Sequence, residues 1–417
     1  MGLDEQTISI LKATAPVVQD NGTQITSTMY RIMFKEHPEV KNLFNMSHHV
    51  PGEDGLPSKQ ARSLANAVCA YAANCDNLGA LSEAVARIAH KHVSLYILPE
   101  HYPIVGECIL KAIKEVLGDA ATDEIMEGWK NGYQFLADLF IDVERKLREE
   151  KANAEGGWEG FKPLRVTKKV KESDEIVSFY LEDPAGGPIL PYKPGQFLSF
   201  QFPKGSLENC DHDIVRNYSL STAPGHNYYR ISIKREVGRN ADSPLGLVSN
   251  HFHNNINVED EVLTGVPCGS FVLNEDSEKP LVLISGGVGL TPMVAMLEHV
   301  VANNPSRKVT FIQSVRTSKV HAMKKDLDDI VGANDQIQAF VFYSDEEVTA
   351  EEAELAHFDV RSGRMTQEAL DDIVSDKDSD VYYCGPDGFM EKMKEDLQAI
   401  GVPDNQTYFE AFGPTTQ

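Results

Sequence analysis

Apolar positions divide the chain into three textures. Over residues 1–150 they recur at every third or fourth place. The segments Ile8–Val18, Gln24–Glu36, Lys59–Ala72, Leu78–His92, Pro103–Leu117 and Asp123–Glu149 are therefore predicted as helices. Turn residues from Pro51 to Pro57 mark a loop, and Pro99 and Pro103 bracket a second connection. Lys151–Gly160 reads as a linker. Short β-type runs follow at Leu164–Val170, Ile176–Leu181, Phe197–Phe202, Tyr228–Lys234 and Glu261–Thr264, with turns such as Asp183–Gly187 between them. Short strands punctuated this way predict a barrel or sandwich. From Lys279 onward strand-like Leu281–Ser285, Lys308–Gln313, Ile337–Tyr343 and Val381–Cys384 alternate with helix-like Met293–Ala302, Lys319–Val331 and Gly388–Ile400. That alternation predicts a parallel sheet with helices on both faces.

The expected fold class is thus multidomain α and β. An all-α domain spans 1–150, an antiparallel β-barrel 151–273, and an α/β domain with a parallel sheet 274–417. The net charge of −24 argues against nucleic acid and anionic membranes as partners, since both require basic patches. No apolar run approaches the ~18 residues of a membrane span, and Met1–Gln6 lacks the basic and apolar parts of a secretory leader. The six cysteines, at 69, 75, 108, 210, 268 and 384, form no CxxC pair, which fits reduced thiols in the cytosol. Cytoplasmic residence is expected, with a mitochondrial share left open, and so is a monomer without stable membrane insertion.

Three short segments carry chemistry. His92 shares a helical face with Val85, Ile88 and Ala89, where a histidine is either a buried core residue or a metal ligand. His90 points about 200° away from it on the same helix. His48 and His49 fall in a loop and are poor ligand candidates. Arg216-Asn217-Tyr218-Ser219-Leu220 offers a cation, an aromatic face and a short hydroxyl in sequence. Gly286-Gly287-Val288-Gly289-Leu290-Thr291-Pro292 lies where a strand meets a helix, so backbone can approach a phosphate there. It is not the GxGxxG fingerprint, and alone it is weak.

Ile25–Phe34, Leu43–Ser47 and His90–His92 resemble the globin family, and more closely its flavohaemoglobin branch, the nitric oxide dioxygenases. The likeness continues through both later domains. It implies haem b, FAD and NADH or NADPH as cofactors. His92 would be the proximal iron ligand, supported by Tyr102 and by Glu144, which shares a face with Tyr133, Ala137 and Phe140. Tyr30 would donate to dioxygen, Gln60 would add a second polar contact and Leu64 would cover the iron, with Phe44 and Lys91 at the haem.

For FAD the resemblance implies Arg216 at the pyrophosphate, Tyr218 on the isoalloxazine and Ser219 at its reactive edge. Tyr192, Asn217, Lys234 and Ser249 accompany them. For the nicotinamide nucleotide it implies Gly287, Val288, Gly289, Leu290, Thr291 and Pro292, facing Cys384, Gly385 and Pro386. Cys384 would position the ligand without attacking it. The tail Glu410, Ala411, Phe412, Gly413 and Pro414 would return to cover the flavin, with Ala411 where many relatives have cysteine. Arg316 and Lys319 would suit a 2′-phosphate, which leaves NADH against NADPH open. The implied reaction passes electrons from NAD(P)H through FAD to haem iron and oxidises nitric oxide to nitrate with dioxygen. Two alternatives stand beside it: an O2 or nitric oxide carrier or sensor with an attached reductase, and a general NAD(P)H oxidase or reductase.

Overall fold

The structure, a computed structural model, describes residues 2–52, 55–208, 210–238 and 245–413. The first texture folds as helices α1 (Glu5–Glu36), α2 (Lys59–Asn74), α3 (Ser82–Ser94), α4 (Tyr102–Leu117) and α5 (Asp123–Asn153). Each start that matters has its cap: Asp4 accepts from the Thr7 amide at 2.8 Å, Ser58 from Ala61 and Thr122 from Ile125, each at 3.3 Å. The two helices predicted at 8–18 and 24–36 are one, running through Pro16. Pro16 removes a single amide from a 32-residue helix, and α1 packs on α2, α4 and α5 along its length. Gly22 sets the closeness of the α1–α2 crossing, because a β-carbon there would sit 3.3 Å from that of Ala65. The predicted helix at 78–92 begins as a 3-10 turn over Leu78–Leu81 before α3. Leu11, Met29, Met33, Cys108, Ala112 and Trp129 form the core.

The second texture gives β1 (Phe161–Lys171), β2 (Ile176–Glu182), β3 (Phe197–Phe202), β4 (Ile214–Ser219), β5 (Tyr229–Lys234), helix α6 (Leu247–Asn254) and β6 (Glu261–Gly265). The sheet order is β4-β3-β6-β1-β2-β5, antiparallel throughout. A bridge between Leu220 and Ile231 joins the two ends, so the sheet closes on itself. Strand β4, the Arg216–Ser219 segment, was not among the predicted strands. Consecutive Arg216, Asn217 and Tyr218 break its alternation, and its ladder partner is β3 alone. The predicted linker shortens to 154–160, since α5 continues to Asn153 and β1 starts at Phe161. A cut at 150 passes through the last turn of α5.

The third texture gives β7 (Leu281–Gly286), α7 (Leu290–Asn303), β8 (Val309–Val315), α8 (Lys324–Gly332), β9 (Ile337–Tyr343), β10 (Phe358–Ser362), α9 (Gln367–Ile373), β11 (Asp380–Cys384), α10 (Asp387–Ala399) and β12 (Thr407–Glu410). All strands are parallel, in the order β10-β9-β8-β7-β11-β12. The four predicted strands are the inner ones. Edge strands β10 and β12 escaped because Phe358-Asp359-Val360-Arg361-Ser362 is half polar and β12 has only four residues. Helix α8 starts later than predicted, after a 3-10 turn at Ser318–Val320 and a left-handed Met323 (φ 57°).

Buried polar ties lock the units together. Glu298 on α7 accepts from Arg230 at 2.9 Å, from the Thr222 hydroxyl at 2.7 Å and from the Ala223 amide at 2.8 Å, which fixes the barrel to the parallel sheet. Arg307 bonds Asp380 at 2.8 Å, the Lys279 carbonyl at 2.8 Å and the Asn274 carbonyl at 3.2 Å. The helical unit meets the barrel where Asp213 N donates to Asn42 at 3.0 Å and Asn217 donates to Ser94 at 3.3 Å. Lys59 at the start of α2 pairs with Asp387 at the start of α10. Among the described residues no helix is long and apolar enough to cross a membrane.

Arg307→Ala strands the Asp380 carboxylate, whose side chain is 5% exposed, without its counter-ion. We expect a loss of about 3–5 kcal/mol in denaturant unfolding. A change below about 1 kcal/mol would show that this pair is not holding the sheet to its entry segment.

Candidate functional site

Helix α3 carries His92, and its neighbours come from α4 and α5. Glu144, on the inner face of α5, is fully buried. His92 Nδ1 lies 2.7 Å from Glu144 Oε1 and 3.1 Å from the Tyr102 hydroxyl, and Tyr102 donates to the same Oε1 at 2.5 Å. A carboxylate accepts only, so Nδ1 holds the proton and Nε2 presents its lone pair. Arg148 Nη1 stands 3.9 Å from Glu144 Oε2 and donates to the Ile97 carbonyl at 2.9 Å. Burial, with Glu144 alongside, pushes the Tyr102 phenol well up, so it remains a hydrogen-bond donor. The imidazole keeps 32% of its side-chain surface open, and the ring of Phe140 is 5.8 Å away.

The same helical unit holds an aromatic nest. Tyr30 and Phe34, one turn apart on α1, meet Phe44 edge-on at 5.7 and 5.4 Å. Gln60, in the first turn of α2, donates through Nε2 to the Tyr30 hydroxyl at 3.2 Å. Desolvation raises the Tyr30 pKa to about 12, with the Gln60 bond acting the other way. Leu64, one turn beyond Gln60, packs against the same core. The structure thus brings Tyr30, Gln60, Leu64 and Phe44 together. It adds a residue the sequence reading set aside. His49, at the end of a short 3-10 turn (Met46–His49), stacks edge-on against Tyr30 at 4.5 Å, Phe34 at 4.9 Å and Phe44 at 5.3 Å.

The barrel presents Arg216, Asn217, Tyr218 and Ser219 along β4. Tyr218 packs against Phe252 of α6 at 5.6 Å, and burial lowers the pKa of Arg216. Ser219 pairs in register with Phe197, and Lys91, next to His92 in sequence, holds its ammonium 5.6 Å above the Phe197 ring. Phe197 is therefore a seam residue that the sequence reading quoted without singling out. Its signal was its place at the start of β3, opposite Ser219. Tyr192 stands apart from the group, with its hydroxyl spent on the carbonyls of Thr222 and Ala223 at 2.8 and 2.9 Å. The Ser249 hydroxyl accepts from the Glu236 amide and donates to the Gly246 carbonyl, both at 3.1 Å. Lys234 lies 3.5 Å from Glu236.

In the parallel sheet, Gly286 ends β7, Gly287–Gly289 makes a 3-10 turn, and α7 starts at Leu290. Gly287 has φ +54° with open space where a side chain would project. A β-carbon on Gly289 would overlap the Cys384 carbonyl, so glycine is what lets the two motifs touch. Thr291 donates to the Val288 carbonyl at 3.1 Å, and Val288, Leu290 and Pro292 complete the turn into α7. Cys384 ends β11 fully buried, its thiol pushed far up by desolvation, with Gly385 and Pro386 leading into α10. Glu410, in register with Cys384 at the end of β12, is raised to about 7 by burial, against Lys91 and Arg87. Its Oε2 has no hydrogen-bond partner. Ala411, Phe412 (50% exposed) and Gly413 follow, and Pro414 lies outside the described residues.

The turn after β8 differs from its sequence reading. Arg316 pairs with Glu175, and Ser318 donates to Glu346 at 2.5 and 3.0 Å, so carboxylates stand beside the cations in space. Glu175 and Glu346 are too distant in sequence to have been assigned there.

The residues fit the implied groups. His92 Nε2 suits an iron. A macrocycle such as porphyrin would supply the remaining ligands. The Arg216 cation and the β4 aromatic suit a flavin diphosphate, and the open backbone at Gly287 suits a nucleotide phosphate.

Comparison with known proteins agrees. A globin family profile matches residues 27–139, and an oxidoreductase NAD-binding domain profile matches residues 283–395. A flavohemoprotein of Oceanobacillus iheyensis is 43% identical over 412 residues, covering 99% of this chain and 97% of that one. One from Deinococcus radiodurans is 43% identical, covering 98% and 96%. The crystal structure of a flavohemoglobin from Malassezia yamatoensis with bound FAD and heme superposes with a TM-score of 0.82 at 25% identity, covering 99% and 100%. The FAD/NAD binding domain of a nitric oxide dioxygenase from Vibrio cholerae matches 61% of this chain and 99% of its own at 35% identity, TM-score 0.53.

His92→Ala removes the side chain that Glu144 orients. We expect the haem Soret band to disappear from the purified protein while the flavin absorption stays. A normal haem spectrum in this variant would exclude His92 as the ligand.

Proposed function

This chain belongs to the flavohaemoprotein family, and from that premise we propose that it is a nitric oxide dioxygenase that draws electrons from a nicotinamide nucleotide and yields nitrate. The observation that carries the reading is the 2.7 Å contact of His92 Nδ1 with a fully buried carboxylate, in the same helical unit as the hydrogen-bonded Tyr30–Gln60 pair. When bound, the nucleotide supplies a hydride, the flavin divides it into single electrons, and the haem supplies one-electron and dioxygen chemistry.

The protein's part is binding, orientation and proton placement. Glu144 keeps the proton on Nδ1 and makes the imidazole a stronger donor at Nε2. Tyr102 donates to the same Glu144 oxygen and helps to hold it in place. The Tyr30 hydroxyl takes its hydrogen bond from Gln60, so its own proton is free for a small ligand. Phe44 and Leu64 exclude water around it. Arg216 would meet the flavin diphosphate, with Tyr218 and Ser219 at the ring, and Lys91 and Glu410 would stand between flavin and haem. Cys384, held as a thiol, positions the nicotinamide with Gly385 and Pro386. The carboxylates beside Arg316 and Ser318 oppose a 2′-phosphate, and we take NADH as the favoured donor.

A carrier needs no carboxylate behind its proximal histidine, so the Glu144 contact favours the enzyme. We place the activity in the cytosol and in a single chain, because one chain holds every site.

In air with NADH, the protein is expected to consume many equivalents of nitric oxide per haem and to release nitrate. Consumption that stops at one equivalent would overturn the proposal. Tyr30→Phe should speed dioxygen release by about ten- to hundredfold, the worth of a hydrogen bond of roughly 1.5–3 kcal/mol. An unchanged release rate would remove Tyr30 from that role.

A further inference from the structure

The aromatic nest around Tyr30 holds one side chain that packing alone does not explain. Tyr30, Phe34 and Phe44 surround the His49 ring at 4.5, 4.9 and 5.3 Å, all edge-on. A phenylalanine or leucine would fill such a place without penalty. The imidazole brings two polar nitrogens instead, and both Nδ1 and Nε2 are buried with no hydrogen-bond partner. Burial also holds the ring neutral, its pKa lowered to about 4, so it carries one N–H and one lone pair, both idle. Leaving such groups unpaired is costly. The chain around them gives neither nitrogen a hydrogen-bond partner, and the Tyr30 hydroxyl takes its bond from Gln60 instead.

His48, next in sequence, shows that the turn is fixed. Its Nε2 lies 3.0 Å from Asn45 Nδ2, and Asn45 in turn accepts from the Ser47 hydroxyl at 2.8 Å and the Ser47 amide at 3.3 Å. His49 is therefore held at the nest by a braced turn at the head of the loop that leads to Gln60. The second torsion of histidine is broad and roughly two-fold. A turn of the ring alone would re-aim that N–H without moving the backbone.

We propose that His49 is a third polar contact of the distal pocket, donating its N–H to the small ligand beside Tyr30 and Gln60. The inference rests on the haem reading above. Its ligand class is a diatomic molecule or water with an acceptor atom.

Carbon monoxide on the reduced holoprotein is the probe, read by the infrared C–O stretch. A donor aimed at the oxygen lowers that frequency. Wild type, His49→Phe, His49→Gln, Tyr30→Phe and the double variant Tyr30→Phe/His49→Phe are compared. His49→Phe should shift the band upward, His49→Gln should restore it in part, and the upward shift should persist in the Tyr30→Phe background. A band that does not move with position 49 overturns the inference. So does a shift that vanishes once Tyr30 is gone, because His49 would then act only by packing on the tyrosine. His49→Leu gives the same test if the phenylalanine variant fails to take up haem. Failure of the underlying reading has a separate signature: the wild type itself would form no carbon monoxide complex, and both claims would fall.

Discussion

A carboxylate buried in an apolar helical core is tolerable only when donors surround it. Glu144 has His92 Nδ1 and the Tyr102 hydroxyl on one oxygen and the Arg148 guanidinium near the other. This small cluster decides the rest. It selects the tautomer of His92, turns Nε2 outward, and ties α3, α4 and α5 together at one point. The geometry of α5 makes it possible. Its 31 residues run past the core, so Glu144 comes from the same helix as the structural Trp129 and Gly132 yet lies four turns further along.

The same region joins the three units. Lys91, the residue before His92, rests over Phe197, which opens β3 and pairs with Ser219 of β4. Glu410 arrives from the edge of the parallel sheet, and its charge opposes the lowering of the Lys91 pKa by burial. Gly289 and Cys384 meet backbone to backbone behind it. His92, strand β4 and the glycine turn after β7 are thus linked through a few side chains, while Glu298 ties the barrel to the parallel sheet and Arg307 ties that sheet to its entry segment. Electron transfer requires this closeness, and the fold supplies it by packing rather than by flexible tethers.

Much of this was legible in the chain. Helical periodicity located α2 to α5 well, alternation found the inner strands of both sheets, and the glycine-rich turn fell at the end of β7. What periodicity missed has physical causes. Pro16 argued for a break in α1 that tertiary packing overrides. Strand β4 puts the polar Arg216 and Asn217 in succession, which hides its alternation although Ile214 packs in the barrel core. The edge strands β10 and β12 bury too little to show a clear signal. At the site, His92 and Glu144 share the correct faces by spacing, but their contact joins residues 52 apart in sequence. His49 looked like loop because turn composition says nothing about which neighbours a turn delivers. Tyr192, expected at the flavin, spends its hydroxyl on the backbone carbonyls of Thr222 and Ala223, a tie its motif does not reveal. Glu346, after β9, came beside Ser318 through the parallel sheet, and Glu175, from the β1–β2 turn of the barrel, came beside Arg316 through the packing of the two units.

The most direct test of the whole account is an absorption spectrum of the purified protein under nitrogen, before and after one addition of NADH. The account predicts bleaching of the flavin band together with the shift of the Soret band that marks reduced haem, in one molecule and without an added mediator. A flavin that bleaches while the haem stays oxidised, or a protein with no Soret band at all, would contradict it.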